Sequence, residues 1–352
     1  MNKNLKFDFD DILITPKTHT NIISRSEIDP YVKDDKNILA PRLPLFTAPM
    51  DTVLDDNNWV DFNEVGVRIV IPRTSTKKIF NGSDPIFHSY SINDFEQYYV
   101  LDEERTHPAY VLIDVANGHM ERIIDLAQQA KFNHPKITIM AGNIANPETY
   151  RWYAESGCID YVRVGIGNGN GCLTTQQTGV GFPKASLIRE CYLIKEELEL
   201  DGYYNLPKIV ADGGIKDYAD IIKALALGAD YVMIGSILNK ALESSGQNYL
   251  YGIKISPIFA EQCFDLGLPV KKQFYGMSTK LAQMKMGKTN LKTSEGVVRY
   301  RKVEYKLFNW IQNFESYLRS AMSYSNARTL EEFIGNADFE MITENAFNRF
   351  KK

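Results

Sequence analysis

The chain has 352 residues, 44% of them hydrophobic and 24% charged, with a net charge of −4 at pH 7. Such a composition belongs to an ordinary globular protein and excludes a disordered or collagen-like chain. The negative balance, with no Lys/Arg block, excludes a general nucleic-acid binder. Four cysteines, at positions 158, 172, 191 and 263, show no C-x-x-C spacing, so neither a disulfide framework nor a zinc site is expected. No apolar signal core opens the sequence and no run reaches membrane-spanning length, so the expectation is a cytoplasmic protein with no membrane partner.

In chain order, short apolar runs predict strands at Pro44–Met50, Val67–Pro72, Ala109–Ala116, Lys136–Asn143, Tyr161–Gly165, Lys208–Asp212 and Tyr231–Gly235, with a weaker one at Lys272–Gly276. Several are almost continuous in β-branched and other apolar residues, as parallel strands covered on both faces are. Helical segments lie between them. Met120–Lys131 is amphipathic. Pro147–Ser156 opens with proline at a first helical position behind Asn146 as a cap. Asp217–Leu227 stops at Gly228. After Leu307, an apolar pattern through Phe308, Trp310, Ile311, Phe314, Tyr317 and Leu318 suits a helix. Ile237–Val270 and Ser278–Ser294 carry no obvious strand. The second is basic, with Lys280, Lys285, Lys288 and Lys292, and reads either as a lid on a catalytic face or as a solvated surface.

Repeated strand–helix alternation predicts an α/β protein, a (β/α)8 barrel, rather than a doubly wound sheet, which would want a Gly-rich turn after its first strand. Small and polar residues collect at the carboxyl ends of the runs: Asp114, Asn143, Gly165, Asp212-Gly213-Gly214, Gly235-Ser236 and Tyr275-Gly276. In a barrel these ends meet at one mouth. The turns after the sixth and seventh runs suit a phosphate, bound by backbone N–H groups; each alone is also an ordinary tight turn. The loop after Tyr161–Val164 has glycines at 165, 167, 169 and 171, then Cys172, with Thr174 two residues on. A cysteine displayed on such a loop reads as a nucleophile, although free cysteines more commonly serve as small buried hydrophobes.

These motifs together resemble the family of IMP dehydrogenases and GMP reductases, from Phe7 to about Ile334. The resemblance is carried by Asp8-Phe9-Asp10-Asp11, Ser24-Arg25-Ser26-Glu27, Pro49-Met50-Asp51-Thr52, the Cys172 loop, Thr178-Gly179-Val180-Gly181-Phe182-Pro183, Ala211-Asp212-Gly213-Gly214, Gly235-Ser236 and Tyr275-Gly276-Met277-Ser278. It implies one barrel domain over 1–352, with a core of about 8–335 and a flap at about 278–294. About 35 residues separate Thr74 from Ala109, too few for inserted regulatory modules. That spacing, a flap without Arg or Tyr, Asp114-Val115-Ala116-Asn117-Gly118-His119, and Ser24–Asp29 all favour the reductase branch: NADPH-dependent conversion of GMP to IMP and ammonia. The alternatives are an IMP dehydrogenase lacking modules, oxidising IMP to XMP with NAD, and a member with altered guanine-nucleotide specificity.

The resemblance also implies roles. Cys172 would form the covalent adduct, with Thr174 and Glu295 as proton relay and Asp114 assisting. Asp212 would hold the ribose, Gly213, Gly214, Gly235 and Ser236 the phosphate, and Met50, Tyr275, Gly276 and Met277 the base. Asp114, Ala116, Asn143, Arg163 and Gly165 would serve the cofactor. Carbonyls of Gly165, Gly167 and Cys172 would be ligands for a monovalent cation such as K+. The family implies a homo-oligomer, a tetramer. Read without the resemblance, Glu295 is a surface carboxylate and Thr174 a helix cap. Departures from the family pattern are Pro49, Arg73, Asn168, Asn170 and the long segment from Ser236 to Tyr275.

Overall fold

The computed structural model describes residues 5–33, 42–75, 85–102, 108–169, 173–276, 279–285 and 297–350. Eight parallel strands form one sheet: β1 (Leu45–Thr47), β2 (Val70–Ile71), β3 (Phe87–Tyr90), β4 (Tyr110–Asp114), β5 (Thr138–Ile144), β6 (Tyr161–Val164), β7 (Lys208–Asp212) and β8 (Tyr231–Ile234). Their order is β1-β8-β7-β6-β5-β4-β3-β2. The remaining gap closes through a parallel bridge between Phe46 and Arg68, where Thr47 N–H donates to Arg68 O at 3.0 Å. The expected (β/α)8 barrel is therefore the observed fold, with one exchange among its strands. Lys272–Gly276 does not enter the barrel. Its place is taken by β3, whose Phe-His-Ser-Tyr sequence carries too little apolar signal to stand out.

The helices alternate with the strands and begin and end where local chemistry dictates. They include α1 (Trp59–Glu64), α2 (Ile92–Glu96), α3 (Glu121–Asn133), α4 (Pro147–Ser156), α5 (Thr174–Thr178), α6 (Lys184–Leu200) and α7 (Tyr218–Ala226). In α4 the Asn146 side chain accepts the Glu148 N–H, proline fills the first turn, and Gly157 ends the helix in the left-handed region. In α7 the Asp217 side chain accepts the Asp220 N–H at 3.0 Å.

The lower half of the barrel is plugged by aromatic rings. Phe46, Phe87, Tyr110, Tyr161 and Tyr231 pack with centroids 5.0–6.1 Å apart, mostly edge to face. This plug fills the barrel below the carboxyl ends of the strands. Two aspartates latch the opposite rim. Asp160, just before β6, accepts the Ile139 N–H of β5 at 2.6 Å and the α3 ammonium of Lys131 at 2.7 Å. Asp230, just before β8, accepts the Ile209 N–H of β7 at 2.7 Å and the α6 ammonium of Lys195 at 3.0 Å.

The segment from Ile237 to Val270, expected to lack strands, holds a hairpin of β9 (Asn248–Leu250) and β10 (Ile253–Ile255), then α8 (Pro257–Asp265). With β11 (Lys271–Phe274) and β12 (Arg299–Lys302) it forms an antiparallel sheet ordered β10-β9-β11-β12. Ala260, Cys263, Val270 and Val303 bury its small core. After β11 comes α9 (Lys280–Lys285), and after β12 comes α10 (Leu307–Tyr324). In α10, Leu307, Trp310, Ile311, Phe314, Leu318 and Met322 are buried at helical spacing, while Phe308 and Tyr317 stay more than half exposed. Ile12–Ile14 pairs antiparallel with Phe339–Met341 across the outside.

Candidate active site

A cleft of about 240 Å³ opens at the carboxyl ends of the barrel strands. It gathers residues far apart in sequence: Met50, Asp114, Ala116, Asn143, Arg163, Gly165, Gly167, Thr174, Asp212, Gly213, Gly214, Gly235, Ser236 and Gly276 all line it. The site residues expected from the sequence thus converge, with two qualifications. Cys172, Met277 and Glu295 lie outside the described residues. Tyr275 does not line the cleft. It is fully buried, and its hydroxyl donates to Asp51 Oδ2 at 2.7 Å. Phe274 and Gly276 line the wall while Tyr275 between them faces away, as alternate residues of an extended segment do.

The electrostatic centre is a fork of charges on three strand ends. Arg163 of β6 donates through one guanidinium nitrogen to Asp114 Oδ1 at 2.8 Å and through another to Asp212 Oδ2 at 2.7 Å. Asn143 Nδ2 of β5 donates to the same Asp212 oxygen and to the Gly165 carbonyl, both at 2.8 Å. Arg73 adds an ion pair to Asp114 Oδ2 at 3.1 Å, which gives that departure from the family pattern a structural role. Burial alone would lower the Arg163 pKa, but Asp212 and Asp114 hold it above the usual guanidinium range. Burial would raise Asp212, yet Arg163, Lys184 and the Asn143 amide hold it below the usual carboxylate range. Asp212 therefore meets a ligand as a fixed carboxylate, able to accept two hydroxyl hydrogen bonds.

The turns around this fork suit an anion. Gly213 and Gly214 both have φ near +77°, which turns the chain after β7 tightly against Asn168 of the facing loop. Beside them, Gly235 and Ser236 follow β8. Thr174 is the first residue of α5, and Leu173 holds the cap position, so Thr174 is not the cap of that helix. The three described cysteines, Cys158, Cys191 and Cys263, are buried. Burial pushes the Cys158 and Cys191 thiols up, so neither suits a nucleophile.

Lys184 was not legible as a site residue. It opens α6 with 1% exposure and donates from behind the cleft to Val164 O at 2.8 Å and to Asp212 O. A signal existed: Lys184 begins the stripe Lys184, Leu187, Ile188, Cys191, otherwise apolar at helical spacing. The Gly165 carbonyl accepts the Asn143 amide, and a Cβ at Gly165 would fall 1.6 Å from Lys184 Nζ.

Beside the cleft, Asp51 Oδ2 also pairs with Lys285 Nζ at 3.0 Å, and that ammonium lies 5.3 Å from the Tyr275 ring centroid. This cluster anchors α9, the described part of the expected flap. Among the described residues, no helix is long and apolar enough to cross a membrane.

Comparison with known proteins agrees with the geometry. The profile of the IMP dehydrogenase / GMP reductase domain matches residues 101–349. GMP reductase 2 of Homo sapiens is 28% identical over 364 residues, covering 98% of this chain and 96% of the relative. GMP reductase of Streptococcus pneumoniae is 28% identical over 349 residues, covering 97% and 96%. GMP reductase of Caenorhabditis elegans is 28% identical over 355 residues, covering 96% and 92%.

Proposed function

The chain belongs to the IMP dehydrogenase / GMP reductase family, and on that premise we propose that it converts GMP to IMP and ammonia at the expense of NADPH. One observation carries the reading: the Arg163–Asp114–Asp212 fork stands in a single cleft with the glycine turns of β7 and β8. The nucleotide's ribose hydroxyls are received by the Asp212 carboxylate. Its phosphate is received by backbone N–H groups of Gly213, Gly214 and Gly235 with the Ser236 hydroxyl. Met50 and Gly276 flank the base.

The thiolate of Cys172 attacks C2 of the purine, forming a C–S bond. Ammonia departs with a proton delivered through Thr174 and Glu295, leaving a thioimidate. A nicotinamide cofactor, when bound on the side of the cleft lined by Asp114, Ala116 and Asn143, would supply the hydride to C2. The C–S bond then breaks, and Cys172 leaves with the electron pair as IMP forms. Asp114, pinned by Arg163 and Arg73, orients the cofactor side of the cleft, where Ala116 and Asn143 supply wall. The fold supports room for such a ring there, since the cleft extends from Ser236 to Ala116. A homotetramer in the cytoplasm, built from one barrel domain without regulatory modules, completes the proposal.

A second reading, a different guanine nucleotide as substrate, is favoured by Pro49 and Asn168. Both depart from the family pattern and both line the cleft. The test is absorbance at 340 nm with NADPH and GMP, with Cys172→Ala as control. A GMP-dependent fall that the variant loses supports the proposal. A flat trace with GMP, alongside NADH formation from IMP and NAD, overturns it for the dehydrogenase. Turnover only with deoxy or base-modified guanine nucleotides selects the second reading.

A further inference from the structure

Lys184 is an expensive residue. Its ammonium is buried with 1% exposure at the first position of α6, the end of a helix that repels cations. A methionine would fill similar space without a charge to desolvate. Nothing in the reaction outlined above uses it. What the ammonium holds is specific: the Val164 carbonyl at the end of β6 and the Asp212 carbonyl at the end of β7. These neighbouring strand ends lead into the glycine loop and the glycine turn. Arg163 and Asn143 grip the Asp212 carboxylate from the cleft side, and Lys184 grips its main chain from the other. The Lys184 N–H also donates to Asp8 Oδ2 at 3.2 Å, anchoring the helix start to the N-terminal turn.

We infer that Lys184 is a positioning residue for nucleotide binding, its buried ammonium tying the ends of β6 and β7 from behind so that Asp212 and the root of the glycine loop meet the ligand in one fixed geometry. The inference rests on the reading above only for the identity of the ligand. Burial pulls the Lys184 pKa down to about 8, against Asp212 on β7 and Asp8 of the N-terminal turn, while Arg163 on β6 lowers it and Cys191 on α6 raises it. Above that value the ammonium becomes a neutral amine, and the two carbonyls lose their charged donor.

The test compares Lys184→Met and Lys184→Gln with the wild type by calorimetric GMP binding at pH about 7 and about 9. Hydrogen exchange of segments 161–169 and 208–214 is followed without ligand. Loss of a charged donor should weaken GMP binding of Lys184→Met about ten- to a hundredfold at the lower pH. Wild-type affinity should fall toward the higher pH relative to both variants, whose pH responses should match each other. Exchange in both segments should quicken in Lys184→Met. Lys184→Gln, which keeps a neutral donor, should lie between and decides the matter if the methionine variant does not fold. Wild-type affinity and exchange in the variants, or the same alkaline loss in all three proteins, would overturn the assignment. If the wild type binds no GMP, the nucleotide reading fails, and hydrogen exchange alone decides whether Lys184 ties the strands.

Discussion

Replacing Gly165 by alanine is the sharpest perturbation of the site, because two separate costs fall on one methyl group. Gly165 has φ of +129°, a conformation L-residues rarely adopt, and its Cβ would lie 2.5 Å from the Asp212 carbonyl oxygen and 1.6 Å from Lys184 Nζ. The lysine end is hemmed in and the carbonyl is main chain, so the strand ends themselves must part. Backbone strain of about 1–3 kcal/mol and overpacking of about 1–3 kcal/mol together give a loss of roughly 2–6 kcal/mol. Gly157 provides the control. Its φ is +65° and nothing lies within 4 Å of its Cβ, so Gly157→Ala meets the conformational cost alone, about 1–2 kcal/mol. For a chain of this length each kcal/mol lowers Tm by about 1.5 °C. Thermal unfolding should therefore show a fall of about 3–9 °C for Gly165→Ala against about 1–3 °C for Gly157→Ala. Calorimetry should show GMP binding lost only in the first. Equal small shifts, with nucleotide affinity kept in both, would refute the claim that the β6 and β7 ends are locked together at this point.

Arg163→Lys keeps the charge but loses the planar fork that reaches Asp114 and Asp212 at once. Steady-state rates should fall at least about tenfold, and Arg163→Leu should cost about 3–5 kcal/mol of stability in chemical denaturation by removing the buried partner that Asp114 and Asp212 share. His119 accepts the Ala145 N–H at Nε2, 3.1 Å, and holds Thr149 Oγ1 at 2.7 Å through Nδ1, while burial lowers its pKa. Its stabilisation is full above the unfolded value of about 6.5 and is lost as pH falls through the lower folded value. Thermal melts across that window should lose part of their acid limb in His119→Gln. Tyr275→Phe removes the Asp51 hydrogen bond and loosens the seat of α9; the expected outcome is faster proteolysis of the 279–285 segment with little change in Tm.

Much of this was legible before any coordinates, and the reasons are local. Pro147 behind Asn146 fixed the start of α4 to the residue because both signals act within its first turn. The strand-end clusters gave the mouth because barrel geometry forces them together. What escaped were features whose meaning lies in tertiary partners. His88 and Ser89 make β3 look polar, yet both are buried in the sheet. Lys271–Phe274 has a strand's character but pairs antiparallel with β9 and β12, which no local pattern distinguishes from barrel membership. Tyr275 sits in a motif associated with substrate, but the alternation of an extended chain turns it to Asp51. Lys184 reads as one surface lysine among many until its two carbonyls are seen.

The aspartate latches on the far rim repeat one arrangement along the chain. Ile139 to Ile209 and Asp160 to Asp230 are both displacements of 70 positions. In each, an acidic side chain before one strand secures the neighbouring strand's amide and a helix lysine. Adjacent strand pairs are thus fastened separately, at the rim opposite the chemistry. Pro49, Arg73 and Asn168 sit at the mouth and take no part in the fastenings that keep the strands in register. The residues that line the cleft and those that hold the strands in register at the base are thus different sets, so a substitution in one set leaves the contacts of the other in place.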